Sequence, residues 1–168
     1  IGKTSIGYGD DDDSTVVAQG TLAIFLRKEF EVADLASVVE LILDIDYDDA
    51  FVAYINGVEI ARSGGINGFP PPYNQQPTFD HEANLYRGLP LERYIITDPT
   101  SVLTIGTNVL SIQAHNVSGS SSDLSILPVL SALYTSPTSD GVTPADFLGL
   151  RDHYPHTNFK ISSAGETL

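Results

Sequence analysis

The sequence predicts an all-β protein built as one sandwich, and three stretches carry that prediction. Residues 41–62 read LILDIDYDDAFVAYINGVEIAR, where Leu41, Leu43, Ile45 and Tyr47 alternate with Ile42, Asp44 and Asp46. That is the two-residue period of a strand with one wetter face. A second apolar run, Phe51 to Ile55, stops at Asn56-Gly57. Both turn residues tolerate positive φ, so a type I′ turn is expected there, with Val58 to Arg62 pairing back as a hairpin. Upstream, Leu22, Ile24, Leu26, Phe30 and Val32 share one face of residues 21–32, with Lys28 the exception, while Phe25, Arg27, Glu29 and Glu31 take the other.

The remaining elements follow in order. Residues 1–20 form a turn-rich lead-in with Gly7, Gly9 and the run Asp10-Asp11-Asp12-Asp13. Residues 33–38 suit a single helical turn that Asp34 caps. Residues 63–90 contain Gly64, Gly65, Gly68 and Pro70-Pro71-Pro72, which excludes long regular elements and leaves a long loop. Loops of that length inside a compact domain are usually functional or disordered. A strand is expected over 91–97 and is broken by Asp98-Pro99. Residues 108–116 form the next strand, with Leu110, Ile112 and Ala114 inward. A Ser/Gly loop leads to a closing strand at 123–134, where Pro128 implies an edge or a bulge.

Composition narrows the function classes. With 168 residues the chain is long enough to bury a real core. There are 22 acidic against 8 basic residues, for a net charge of −14, which argues against nucleic acid as a partner. No apolar run approaches the ~18 residues of a membrane span, so membrane insertion is not expected. Cysteine is absent, which removes disulfides, thiolate metal sites and thiol nucleophiles. The chain starts at Ile1 rather than Met, which reads as an excised or processed piece.

The segments DDAFVAYINGVEIAR (48–62) and GTNVLSIQAHN (106–116), with IFLRKEFEV (24–32) before them, resemble the jelly-roll, galactose-binding-like modules of large secreted bacterial proteins. The sugar-binding domain of family 2 glycoside hydrolases is similar in the order of these segments. The resemblance implies a jelly-roll β-sandwich, an extracellular or cell-surface setting and an accessory role without catalysis. The domain reading is a sandwich over 1–134, a Pro/Ser/Thr/Gly linker over 135–144 and a tail over 145–168. In that tail, NFKISSAGETL is similar to the opening strand of a bacterial lamin-tail domain.

Three sets of residues are candidates for chemistry. Asp10, Asp11, Asp12 and Asp13 place four carboxylates in a Gly-rich loop, where like charges repel unless a cation neutralises them. Calcium takes flexible all-oxygen shells of this kind, and a hydrated acidic loop is the competing reading. In the resembled modules the early loop lies beside the final strand and shares a structural calcium, which implies Asp123 as a further ligand. Asp48 and Asp49, before the hairpin, are similar to the carboxylate pair of protective-antigen-type lectin domains, which holds a calcium that contacts sugar hydroxyls. Here Ala50 stands where those domains usually have Gly. Asp side chains that shape a turn without any ligand are the competing and commoner reading of the pair. The third set is Arg62, His81, Glu82, His115 and Asn116, polar groups for sugar hydroxyls, with Tyr73 and Tyr86 as stacking rings.

No G-x-S-x-G, H-E-x-x-H or P-loop pattern is present, so an enzyme is not expected. The expectation is a non-catalytic extracellular module that binds a polysaccharide or glycan, with calcium as its cofactor. The alternative is a structural or assembly module whose residues 145–168 pair with a neighbouring domain or subunit.

Overall fold

The computed structural model describes residues 5–9 and 13–135. Asp10, Asp11 and Asp12, most of the expected linker and the whole expected tail lie outside those residues. Within them run β1 (Ile6–Tyr8), β2 (Thr15–Val16), β3 (Ala23–Val32), β4 (Val38–Asp48), β5 (Ala50–Ile55), β6 (Val58–Arg62), β7 (Glu92–Ile96), β8 (Gly106–His115) and β9 (Leu124–Tyr134). They form two sheets, β2-β1-β9-β4-β7 and β3-β8-β5-β6. Setting aside the two-residue β2, each sheet interleaves early and late strands in the order of an eight-stranded jelly roll. The fold expected from the sequence is therefore the fold observed.

Alternation explains why the sheets stack. Leu41, Leu43, Ile45 and Tyr47 of β4 turn inward and meet Phe51, Ala53 and Ile55 of β5. Leu110, Ile112 and Ala114 of β8 and Leu124, Ile126, Leu130 and Ala132 of β9 complete the same core. Each fully buried large apolar side chain contributes roughly 1.5–3 kcal/mol. β5 is buried on both faces: Ala50, Val52 and Tyr54 point away from the core and pack with Ile66. Ile66 belongs to the long β6–β7 connection, which lies over the outer face of this sheet.

The motif residues behind the resemblance hold turns. Asn56 (φ 51°) and Gly57 (φ 83°) make the β5–β6 turn in left-handed conformations. The Asn56 side chain donates to Asn108 Oδ1 (2.8 Å) and the Val102 carbonyl, and accepts from Val109 N–H. Asn108 in turn donates to the carbonyls of Thr104 and Gly106. Replacing Gly57 by alanine forces a Cβ into positive φ with nothing nearby to compensate. A loss of about 1 kcal/mol in urea unfolding is expected, with the unfolding slope unchanged.

Two other features answer sequence expectations. Asp34 caps the short 3₁₀ turn Leu35–Ser37 by accepting from Ala36 N–H (3.0 Å). Pro128 pairs with Ile45 of β4, whereas among the described residues β1 reaches along β9 only from Leu124 to Ile126. Pro128 thus lies where β9 has become an edge.

Candidate functional site

Three carboxylates stand along the outer face of β4, at Asp44, Asp46 and Asp48, and each has a different fate. Asp44 takes a two-pronged ion pair from Arg93 of β7 (2.6 and 2.9 Å). Asp46 accepts the backbone N–H groups of Asn84 and Leu85 (2.6 and 2.8 Å), which fastens the long loop across the end of the sheet. Asp48 is 4% exposed, and its Oδ1 has no hydrogen-bond partner.

Asp48 faces two more acids. A carboxylate oxygen from each of Asp48, Glu82 and Asp123 lies within 4.8 Å of the other two. Glu82 comes from the long loop and Asp123 from the β8–β9 turn, brought in because Asp48 pairs with Ser125 across the β4–β9 ladder. Burial first, then the charges of Asp49, Asp123 and Glu82, push the Asp48 carboxyl up to about 8. A group so placed is costly without a counter-charge.

Asp49 holds this arrangement together. The Asp48–Asp49 peptide is cis. Asp49 Oδ1 accepts His81 N–H (3.0 Å) and Oδ2 accepts Val117 N–H (2.7 Å), so one carboxylate fixes both loops that deliver Glu82 and Asp123. Asn116 supports the second loop: its Nδ2 donates to the Asp123 carbonyl (3.1 Å), the Tyr8 hydroxyl and the Thr21 carbonyl, while its Oδ1 accepts Ser118 N–H. Gly9, at φ 112°, lets the lead-in press against Asp123, where a Cβ would stand 2.8 Å from its Cα.

The residues nominated from the sequence therefore separate. Asp48 and Glu82 meet Asp123, which the sequence grouped with the lead-in acids instead. Asp13, the one member of that run among the described residues, lies over Gly7, 2.8 Å from where a Cβ would be. Asp49 has its carboxylate committed to backbone. Arg62 is spent on Glu59 (2.6 and 2.7 Å) and on the carbonyls of Ile66 and Gly68. The His81 ring stacks on Tyr47 at 4.1 Å, with its nitrogens against the Tyr47 carbonyl and Glu92. His115 and Asn116 are fully buried, so the expectation that they line a ligand surface is corrected. The β6–β7 loop covers His115, with Gln75 O 3.0 Å from Nδ1. Tyr73 and Tyr86 are exposed, and the Tyr86 hydroxyl donates to Glu82 (3.0 Å), which sets a half-exposed ring beside the three acids. Asp46 was not nominated, although acids at every second residue of one strand face were its signal.

His115 also makes a pH prediction. Burial lowers its pKa below the ordinary 6.5. The unfolded chain then takes up a proton that the native state refuses, so stability is full above about pH 6.5 and falls as pH drops below it. Between pH 7 and 5 the melting temperature of the wild type is expected to drop more than that of His115→Gln. Equal slopes would remove His115 from the acid response.

No protein-family model matches the sequence, and the search of curated proteins found no match. Among solved structures, the chain is similar to part of a Streptomyces avermitilis α-L-rhamnosidase complexed with L-rhamnose, at 18% identity over 68% of this chain, with a TM-score of 0.46. It is also similar to part of an Aspergillus terreus α-L-rhamnosidase, at 23% identity over 72% of this chain, with a TM-score of 0.41. It spans 9% and 13% of the lengths of those two chains.

Proposed function

We propose that this chain is a non-catalytic, extracellular carbohydrate-binding module in which Asp48, Glu82 and Asp123 hold a calcium ion that meets the glycan. The observation that carries this reading is the buried Asp48 carboxylate, which has an unpartnered Oδ1 and an oxygen within 4.8 Å of one from each of Glu82 and Asp123. Calcium–oxygen distances of about 2.3–2.6 Å allow oxygens of one shell to stand up to ~5 Å apart, so the three acids suit a single ion. Magnesium fits less well, because it demands near-octahedral geometry and keeps its waters. Three side chains leave positions for water or for paired sugar hydroxyls. The exposed Tyr86 ring beside Glu82 offers a face for sugar C–H groups.

The test pairs two measurements on the full chain. Thermal melts in EDTA and then in millimolar calcium are expected to differ by roughly 5–10 °C if calcium is about 100-fold above its Kd. A glycan array probed in calcium and in EDTA is expected to lose binding when the ion is removed. Unchanged melts would overturn the ion. Glycan binding equal in both buffers would separate the ion from the sugar.

A further inference from the structure

The outer face of the four-stranded sheet carries a second concavity, away from the acids. Strand register places Phe25 of β3 opposite Gln113 of β8, with Val52 of β5 beyond it. The next outward row is Arg27, Ser111 and Tyr54. The β6–β7 loop covers Val52 through Ile66. It reaches the Tyr54 ring at Phe69, with ring centroids 6.3 Å apart. Between this loop and β3 lies a groove of about 320 Å³ lined by Phe25, Arg27, Tyr54, Phe69, Ser111 and Gln113 among others. That volume is at the small end of ligand sites.

We infer that this groove is a second glycan contact, independent of calcium, for a short, hydroxyl-rich saccharide segment. Phe25 and Phe69 are 56% and 72% exposed, and two rings bordering one groove offer the apolar faces that sugar C–H groups take. Two polar atoms of the lining, Tyr54 Oη and Gln113 Oε1, are buried without a hydrogen-bond partner. Native proteins rarely leave such atoms unsatisfied, and hydroxyls, which both donate and accept, match a phenol and an amide oxygen together. No carboxylate lines the groove, so an ion has nothing to hold it there. Arg27 supplies a charged donor for a hydroxyl. The ligand class rests on the carbohydrate reading above, whereas the position rests on the groove alone.

The experiment probes the full chain with immobilised hexasaccharides of β-linked glucose, xylose, mannose and galactose, each in calcium and in EDTA. The wild type, Phe25→Ala, Phe69→Ala, Ser111→Phe and Asp48→Asn are compared. Phe25 and Phe69 are exposed, so their loss should leave the fold intact, and Ser111→Phe fills the groove without removing either ring. Binding that survives EDTA and Asp48→Asn, and falls about ten-fold or more in the two ring variants and in Ser111→Phe, supports the groove. Binding abolished by EDTA and by Asp48→Asn but unchanged in the other three variants overturns the groove and leaves the calcium site standing. EDTA-resistant binding that none of the three groove variants weakens also overturns it. A wild type that retains no saccharide in either buffer overturns the groove and the carbohydrate reading together.

Discussion

Asp48→Asn is expected to raise the melting temperature in EDTA by several degrees and to erase the response to calcium. Asparagine keeps the shape of the side chain and cannot ionise, so folding no longer has to neutralise a carboxyl that burial and three neighbouring acids push up. Relief of about 1–2 kcal/mol would appear as roughly 2–8 °C for a domain of this size. The same change leaves the ion a neutral amide oxygen in place of a carboxylate, and so takes one of the three negative charges from its shell. Stabilisation without the ion and insensitivity to it should therefore appear together, a combination that ordinary loss of packing does not produce. Calcium melts of the variant that still climb like the wild type would show that the ion sits elsewhere.

Its neighbour is expected to behave in the opposite way. Asp49→Ala strips the acceptor from His81 N–H and Val117 N–H, two half-buried backbone donors, and each such loss costs about 1–2 kcal/mol. A combined loss of about 2–4 kcal/mol should be visible in urea unfolding, with or without calcium. Because those two bonds hold the loops that carry Glu82 and Asp123, calcium affinity should fall as well. Asp49→Asn keeps one acceptor oxygen and turns a donor toward the other N–H, so it should lie between alanine and the wild type. If Asp49→Ala cost less than Asp48→Asn gained, the two roles would have to be exchanged.

The strands were legible because their signals are local. Alternation in β3, β4 and β8 depends on residues two apart, and the Asn56-Gly57 turn announces itself in two letters. The site was only half legible. Asp48, Glu82 and Asp123 each stood out, but in three separate sets, since no spacing links a strand end, a long loop and the Ser/Gly loop before β9. What joins them is the β4–β9 register and the pinning of the loop by Asp46 and Asp49. Neither can be read from periodicity. His115 and Asn116 misled for a related reason. A polar residue on the outward face of a strand normally meets water, yet the irregular β6–β7 connection buries His115, and Asn116, just past the end of β8, is closed in by Tyr8 and Thr21.

The position of Pro128 bears on how this domain behaves in company. A sheet edge that leaves backbone N–H and C=O groups unpaired is a template on which other chains can grow, end on end, into aggregates. Past Ile126, β9 has no pairing strand on its β1 side among the described residues. There Pro128 offers no N–H to an incoming strand. The proline thus works as a guard, keeping a second copy of the domain from adding a strand along that edge.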